Sequence, residues 1–278
     1  MVLGLAFLLT SCSTFKLVYN QSDDLTYWWL DGYVDFEGTQ KDFTRQALKE
    51  IHQWHRQNEL PKYLALIERL REVAPHDITP SQACLVIDEA KAHALNLLHH
   101  AEPASAQLVA QLSAAQLLNV QKRYEKSNKS WREDFLEGTD AKRLKFRVAK
   151  ATDQLEDLYG DLSATQNKGV TQWMAHSGFD PHKVDAERLR RQAESLRTFE
   201  LMKQASTPLQ AQALLRVWID QDFDSPDESY RAYMNATTLK NCEGFAQLHN
   251  STSAAQRKHL AERLRKYEAD LKVLIANK

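Results

Sequence analysis

Ser253-Ala254-Ala255-Gln256-Arg257-Lys258-His259-Leu260 is the stretch that decides the fold. A Ser followed three positions later by Gln is a capping box, in which each side chain satisfies a free backbone N–H of a helix's first turn. Behind it, Leu260, Leu264, Tyr267, Leu271 and Leu274 recur at four- and three-residue intervals. That spacing puts all five on one face of one helix.

The same signal recurs upstream. Thr79-Pro80-Ser81-Gln82, Ser113-Ala114-Ala115-Gln116, Ser163-Ala164-Thr165-Gln166 and Thr207-Pro208-Leu209-Gln210 each precede a segment with helical apolar spacing. Pro80 and Pro208 occupy the first helical position, where a missing N–H does no harm. Ala83, Ile87, Ala90, Ala94 and Leu97 form the stripe after the first box, and Leu117, Val120, Tyr124, Trp131 and Phe135 the stripe after the second. Phe43, Ala47, Ile51 and Trp54 mark an earlier helix, which Pro61 is expected to break or kink. Between these segments Ala74-Pro75-His76-Asp77, Glu102-Pro103, Glu137-Gly138-Thr139-Asp140, Ser177-Gly178-Phe179-Asp180-Pro181 and Asp224-Ser225-Pro226-Asp227 read as turns. Strand-like alternation is nearly absent. The expected fold is therefore all-α: a single multi-helix bundle, or an irregular array of long amphipathic helices.

Composition agrees. The chain has 278 residues with only 8 Gly and 7 Pro, which favours long unbroken elements. It is 43% hydrophobic and 26% charged, enough apolar surface to bury a core. A formal net charge of -1 supplies no global basic field, so nucleic acid is not an expected partner. No apolar run reaches the ~18 residues needed to span a bilayer.

The beginning of the chain carries an address. Met1 to Thr10 is a short apolar run, and Leu9-Thr10-Ser11-Cys12 resembles a bacterial lipobox. In such signals the Cys thiol is acylated, with chains such as palmitate, and the leader is removed. Residues 1–11 would then be a cleaved signal remnant and 12–278 a lipid-anchored helical domain. The run has no Lys or Arg at its head, so its natural start is expected upstream. Ser13 in place of Asp points to the outer membrane and its periplasmic face. A buried N-terminal helix with an ordinary Cys is the alternative.

Cys84 and Cys242 are a candidate disulfide in an exported protein; Cys84 equally fits a small buried hydrophobe. Tyr19, Tyr27, Trp28, Trp29, Tyr33 and Phe36 crowd the region behind Cys12, where they fit either core packing or a belt at a membrane interface. With Trp54 and His55, the residues Tyr19, Tyr27, Trp28, Trp29 and Tyr33 form the candidate interaction surface. His52 and His55 lie three apart on one helix face, but no neighbouring Cys or carboxylate completes a ligand set, so no metal site is assigned. Two basic runs, Lys142, Arg143, Lys145, Arg147 and Lys150, then Arg188, Arg190 and Arg191, read as solvated faces with acidic partners such as Glu187 and Glu194. No nucleophile elbow, phosphate loop or paired-Cys motif occurs, so no catalytic residue and no cofactor is expected.

Several stretches together resemble a family of bacterial lipoproteins of unknown function, DUF6279. They are the lipobox with Leu17-Val18-Tyr19-Asn20-Gln21, then Trp29-Leu30-Asp31-Gly32-Tyr33-Val34-Asp35, Trp54-His55-Arg56, Glu59-Leu60-Pro61-Lys62-Tyr63, and Ser127-Asn128 before Trp131-Arg132. The resemblance implies an exported helical lipoprotein and no particular activity. One departure is Phe36-Glu37-Gly38-Thr39-Gln40, where Gly38 weakens an expected helix cap. The boxes are also similar to the Leu-Thr-x-x-Gln motifs of periplasmic proteins of the Spy and CpxP type. The function expected is non-enzymatic: a binding, chaperone-like or structural module, attached to the membrane by its lipid and holding a protein partner in the envelope. An enzyme or carrier acting on envelope lipids or polymers is the alternative, and it requires an apolar cavity or converging carboxylates.

Overall fold

A computed structural model describes residues 12–277, with side chains from Phe15 onward. The stretch expected to be a leader, residues 1–11, and the Cys12 side chain lie outside the described residues. Twelve helices follow one another among the described residues, with no strand between them. They are α1 (Cys12–Asn20), α2 (Ser22–Val34), α3 (Thr39–Asn58), α4 (Leu60–Val73), α5 (Pro80–Val109) and α6 (Ala114–Phe135). Then come α7 (Asp140–Tyr159), α8 (Ala164–His176), α9 (Pro181–Lys203), α10 (Pro208–Phe223), α11 (Glu228–Asn250) and α12 (Ala254–Ala276).

The boxes start the helices expected of them. Thr79, Ser113, Ser163 and Ser253 form complete reciprocal caps with Gln82, Gln116, Gln166 and Gln256. At Thr207 only half the box forms, because the Gln210 amide oxygen accepts from Ser206 N instead. Pro61 sits in the first turn of α4, so the chain breaks between Asn58 and Leu60.

One expected turn is absent. Glu102-Pro103 lies inside α5, which runs unbroken for 30 residues, or about 45 Å. A mid-helix Pro forfeits a backbone hydrogen bond. What offsets the loss is tertiary: Glu102 and Ala106 are buried against α10, and Glu102 Oε2 accepts from Arg216 Nε and Nη2 at 2.9 and 2.7 Å. Such long-range support is invisible to local turn chemistry.

α5 is the spine: α3, α9, α10 and α11 all pack on it. The buried apolar residues fall into four clusters rather than one seam. One joins α7, α8, α11 and α12 around Tyr159 and Val170. A second joins α2 to α6 around Tyr27, Phe36 and Val120. The third lies between α5, α9 and α10, and the fourth between the first turn of α4 and the end of α12. In the apolar stripe of α12, Leu260, Leu264, Leu271 and Leu274 are buried against α4 and α7, while Tyr267 meets Phe15 of α1 edge-on.

Candidate functional site

The aromatic group behind Cys12 is divided by the fold. Tyr27 points inward, against Phe36 and beneath the Arg45 guanidinium, which lies 3.6 Å from its ring centre. It is core, not surface. Trp28 and Trp29 point outward, and Trp29 leans on Tyr33 at 4.9 Å. Tyr19, Trp54 and His55 belong to a different place.

That place is a polar cluster between α1, α3, α4 and α5. Tyr19 Oη and His55 Nδ1 are 2.9 Å apart, and His52 packs on the same phenol ring at 4.9 Å. Burial raises the Tyr19 hydroxyl to about 12, against the lowering effect of Arg56, and burial lowers both His52 and His55. Glu59 is wholly buried, and its carboxylate accepts from Lys62 Nζ at 2.7 Å and Asn96 Nδ2 at 2.5 Å. His93 Nδ1 stands 3.1 Å from its other oxygen. Burial alone would push Glu59 up, but the Lys62 and Asn96 hydrogen bonds and the nearby charge hold it below the ordinary carboxylate range. Trp54 stacks on His100 at 3.8 Å. His55 is thus paired with Tyr19 and His52 only packs on its ring, and among the described residues no group of three His, Cys, Asp or Glu is set to hold a metal. The cluster ties four helices together.

Between α2, α5, α6, α9 and α10 lies a cavity of about 420 Å³, within the range of small-ligand sites. Trp29 and Tyr33 form one wall, with Leu98 and Leu108 of α5 and Trp218 and Phe223 of α10 across from them. Two of its polar groups are engaged: the Tyr124 hydroxyl lies 3.0 Å from Ser195 Oγ, and Asp222 pairs with Arg191 at 3.5 Å. Arg123 sits over the Tyr33 ring at 5.4 Å. A second apolar cavity, about 440 Å³, lies beside Cys242 and is lined by Val86, Ile87, Phe245 and Leu264. Tyr159 and His249 close one side of it. The His76 carbonyl can only accept, so His249 Nε2 carries the proton and donates at 2.8 Å, while Nδ1 accepts from the Tyr159 hydroxyl at 2.8 Å.

Residues 32–228, from within α2 to the start of α11, match a known family. The chain belongs to the family of unknown function DUF6279. No curated protein and no solved structure matches it. The DUF6279 match begins after Cys12 and Tyr19 and ends before Cys242. The stretches that carry the resemblance, at the edge of the match and inside it, build joints. Asp31 Oδ1 accepts from Phe36 N at 2.9 Å, Glu59 anchors the polar cluster, and Asn128 exchanges amide hydrogen bonds with Gln192 of α9 at 2.7 and 2.9 Å. Arg132 forks onto Asp185 at 2.8–3.0 Å. The likeness to Spy and CpxP rests on the helix-start boxes alone.

Cys84 of α5 and Cys242 of α11 are joined by a disulfide, their Cα atoms 5.4 Å apart. The basic runs are partly built in: Arg190 and Arg191 both donate to buried Glu187, and half-buried Arg147 lies against Phe179. Sequence reading found Trp29 and Tyr33 but missed Leu98, Trp218 and Phe223. The cavity draws on five helices, and no local spacing links them.

Proposed function

We propose that this DUF6279 protein is a cell-envelope lipoprotein, tethered through Cys12 to the periplasmic face of the outer membrane, whose helical domain is a non-enzymatic binding module. Its cavity beside Trp29 shelters the apolar chain of an envelope lipid. One observation carries the reading: a cavity of about 420 Å³ walled by aliphatic and aromatic side chains, with its one carboxylate paired to Arg191. An apolar cavity suits a single aliphatic chain, since burial of each CH₂ contributes about 0.8 kcal/mol. Arg123, over the Tyr33 ring that walls the cavity, is the cation for an anionic headgroup.

Two measurements test the two halves. Labelled palmitate should enter the protein and fail to enter Cys12→Ser; equal labelling of both, or none in the parent, overturns the anchor. The purified protein should bind a fluorescent fatty acid saturably at one site. Ser105→Phe, which fills the cavity, should weaken that binding at least tenfold. Absence of saturable binding, or binding unaffected by Ser105→Phe, overturns the ligand reading. A stoichiometric protein companion on detergent extraction, with no bound lipid, would replace it with a protein-partner function.

A further inference from the structure

α1 and α2 share an outward face that no other described element covers. Only Gln21 separates the two helices, its backbone stays near the helical region at φ −108° and ψ 9°, and Leu25 N still donates to Gln21 O at 2.9 Å. At 100° per residue, Leu17, Val18, Leu25, Trp28 and Trp29 fall within about 120° of arc, over about 18 Å of axis. Their exposures are 57%, 50%, 50%, 61% and 59%, and no charged residue lies inside the stripe. The opposite face, with Tyr27 and Val34, is buried. The helices are therefore docked by one side and apolar on the other, which is the reverse of a solvated surface helix.

We infer that this stripe lies in the surface of the bilayer, Trp28 and Trp29 seated at the level of the headgroups, and forms a second, noncovalent attachment. The stripe begins five residues after Cys12, so acyl chains on that residue would bring it against lipid. Indole rings, apolar with one N–H, are favoured at that depth. No helix of the described residues is long and apolar enough to cross a membrane, so the geometry is a helix lying flat. Lys41, Arg45 and Lys49 recur at four-residue intervals on the exposed face of α3, and Arg45 reaches to 5.2 Å from the Trp28 ring. Arg45 also pairs with Asp24 at 3.5 Å, and Lys41 and Lys49 on the same face of α3 are the cations left for lipid phosphates. Trp29 belongs both to the stripe and to the cavity wall, so the cavity opens toward the membrane.

The inference rests on the anchored reading for where the bilayer lies, and its test does without the anchor. The chain from residue 12 carrying Cys12→Ser is mixed with vesicles of phosphatidylethanolamine and phosphatidylglycerol, and sedimentation and tryptophan quenching by brominated lipid are read. It should bind and be quenched. Adding Leu25→Ser and Trp28→Ser, neither of which lines the cavity, should weaken partitioning at least tenfold with an unchanged melting temperature. Leu209→Ser, which removes a still more exposed leucine on α10, should leave it unchanged. No vesicle binding by the unlipidated chain, no loss in the double variant, or an equal loss in Leu209→Ser overturns the inference. None of these outcomes bears on palmitate labelling or on fatty-acid binding in solution.

Discussion

Gln166 and Gln256 face each other across the starts of α8 and α12 and exchange amide hydrogen bonds, each Nε2 donating to the other's Oε1 at 2.9 and 3.0 Å. Each amide also reaches the other's incoming loop: Gln166 donates to Ser251 O and Gln256 to Asp161 O. Gln40 and Gln116 repeat the arrangement, with donations to Gln111 O and Asp35 O. A helix-capping device thus doubles as a clamp between helix starts distant in sequence. Even the weak cap at Gly38 is explained, because Gln40 Oε1 accepts from Glu37 N and the amide still completes its pair.

The clamp predicts unequal costs for the same substitution. Gln116→Ala removes a buried amide and its bonds to Ser113 N, Asp35 O and Gln40, and should lower stability by about 2–3 kcal/mol. Gln82→Ala loses only an exposed cap and should cost under about 1 kcal/mol. Gln40→Ala should resemble Gln116→Ala, and the double variant should fall well short of the sum. Urea unfolding measures all four; equal costs for Gln82→Ala and Gln116→Ala would remove the clamp.

The helices and their starts were legible because caps and stripes are local. Ser253 and Gln256 are three residues apart, and Leu260 to Leu274 lie on one helix. Their second role was not legible, since the partner of Gln256 is 90 residues away. The same holds for Glu102, whose burial against Arg216 lets α5 run through Pro103. The candidate surface failed at Tyr27 for a related reason: neighbouring aromatics on a helix point in different directions, and only the packing of α3 and α6 decides which of Tyr27, Trp28 and Trp29 goes inside.

Among the described residues, Gly244 is the one glycine in a helix that the packing requires. A Cβ there would lie 2.3 Å from Trp173 Cδ1, with the indole flat against the α11 backbone. On an exposed helix Gly→Ala gains about 1 kcal/mol. Here Gly244→Ala should instead destabilise by about 1–3 kcal/mol, because Trp173 must leave its place and its bond to Asn241 Oδ1. Trp173→Leu in the same chain should recover part of the loss; a melting temperature raised by Gly244→Ala alone would contradict this packing.

The Cys84–Cys242 bond closes a loop of 158 residues and fastens the spine α5 to α11. On the chain-entropy model, replacing both by Ala should cost about 4–5 kcal/mol, equivalent to a melting temperature lower by roughly 10 °C in a chain of this size. Cys242 is completely buried, so dithiothreitol should reduce the native protein slowly and the urea-unfolded protein rapidly. Thiol labelling against time follows both. Rapid reduction without unfolding would mean that the bond is more accessible than this packing allows.

His249 gives the fold a weakness on the acid side of neutrality. Burial lowers its affinity for a proton, and its neutral form is fixed between Tyr159 and the His76 carbonyl. The unfolded chain protonates this residue near the ordinary value of about 6.5, while the folded chain resists until lower pH. Below about 6.5 the unfolded state therefore binds more protons, and stability falls with pH until the folded value is passed. His52, His55 and His100 are lowered by burial as well and act in the same direction. Stability by urea unfolding should be level from pH 8 to 7 and decline from 6.5 toward 5. His249→Gln keeps a neutral amide in the same space and should make that decline shallower without abolishing it. A slope between pH 6.5 and 5 identical in parent and variant would show that His249 titrates alike in both states, and that the Tyr159–His249–His76 chain does not exclude the proton.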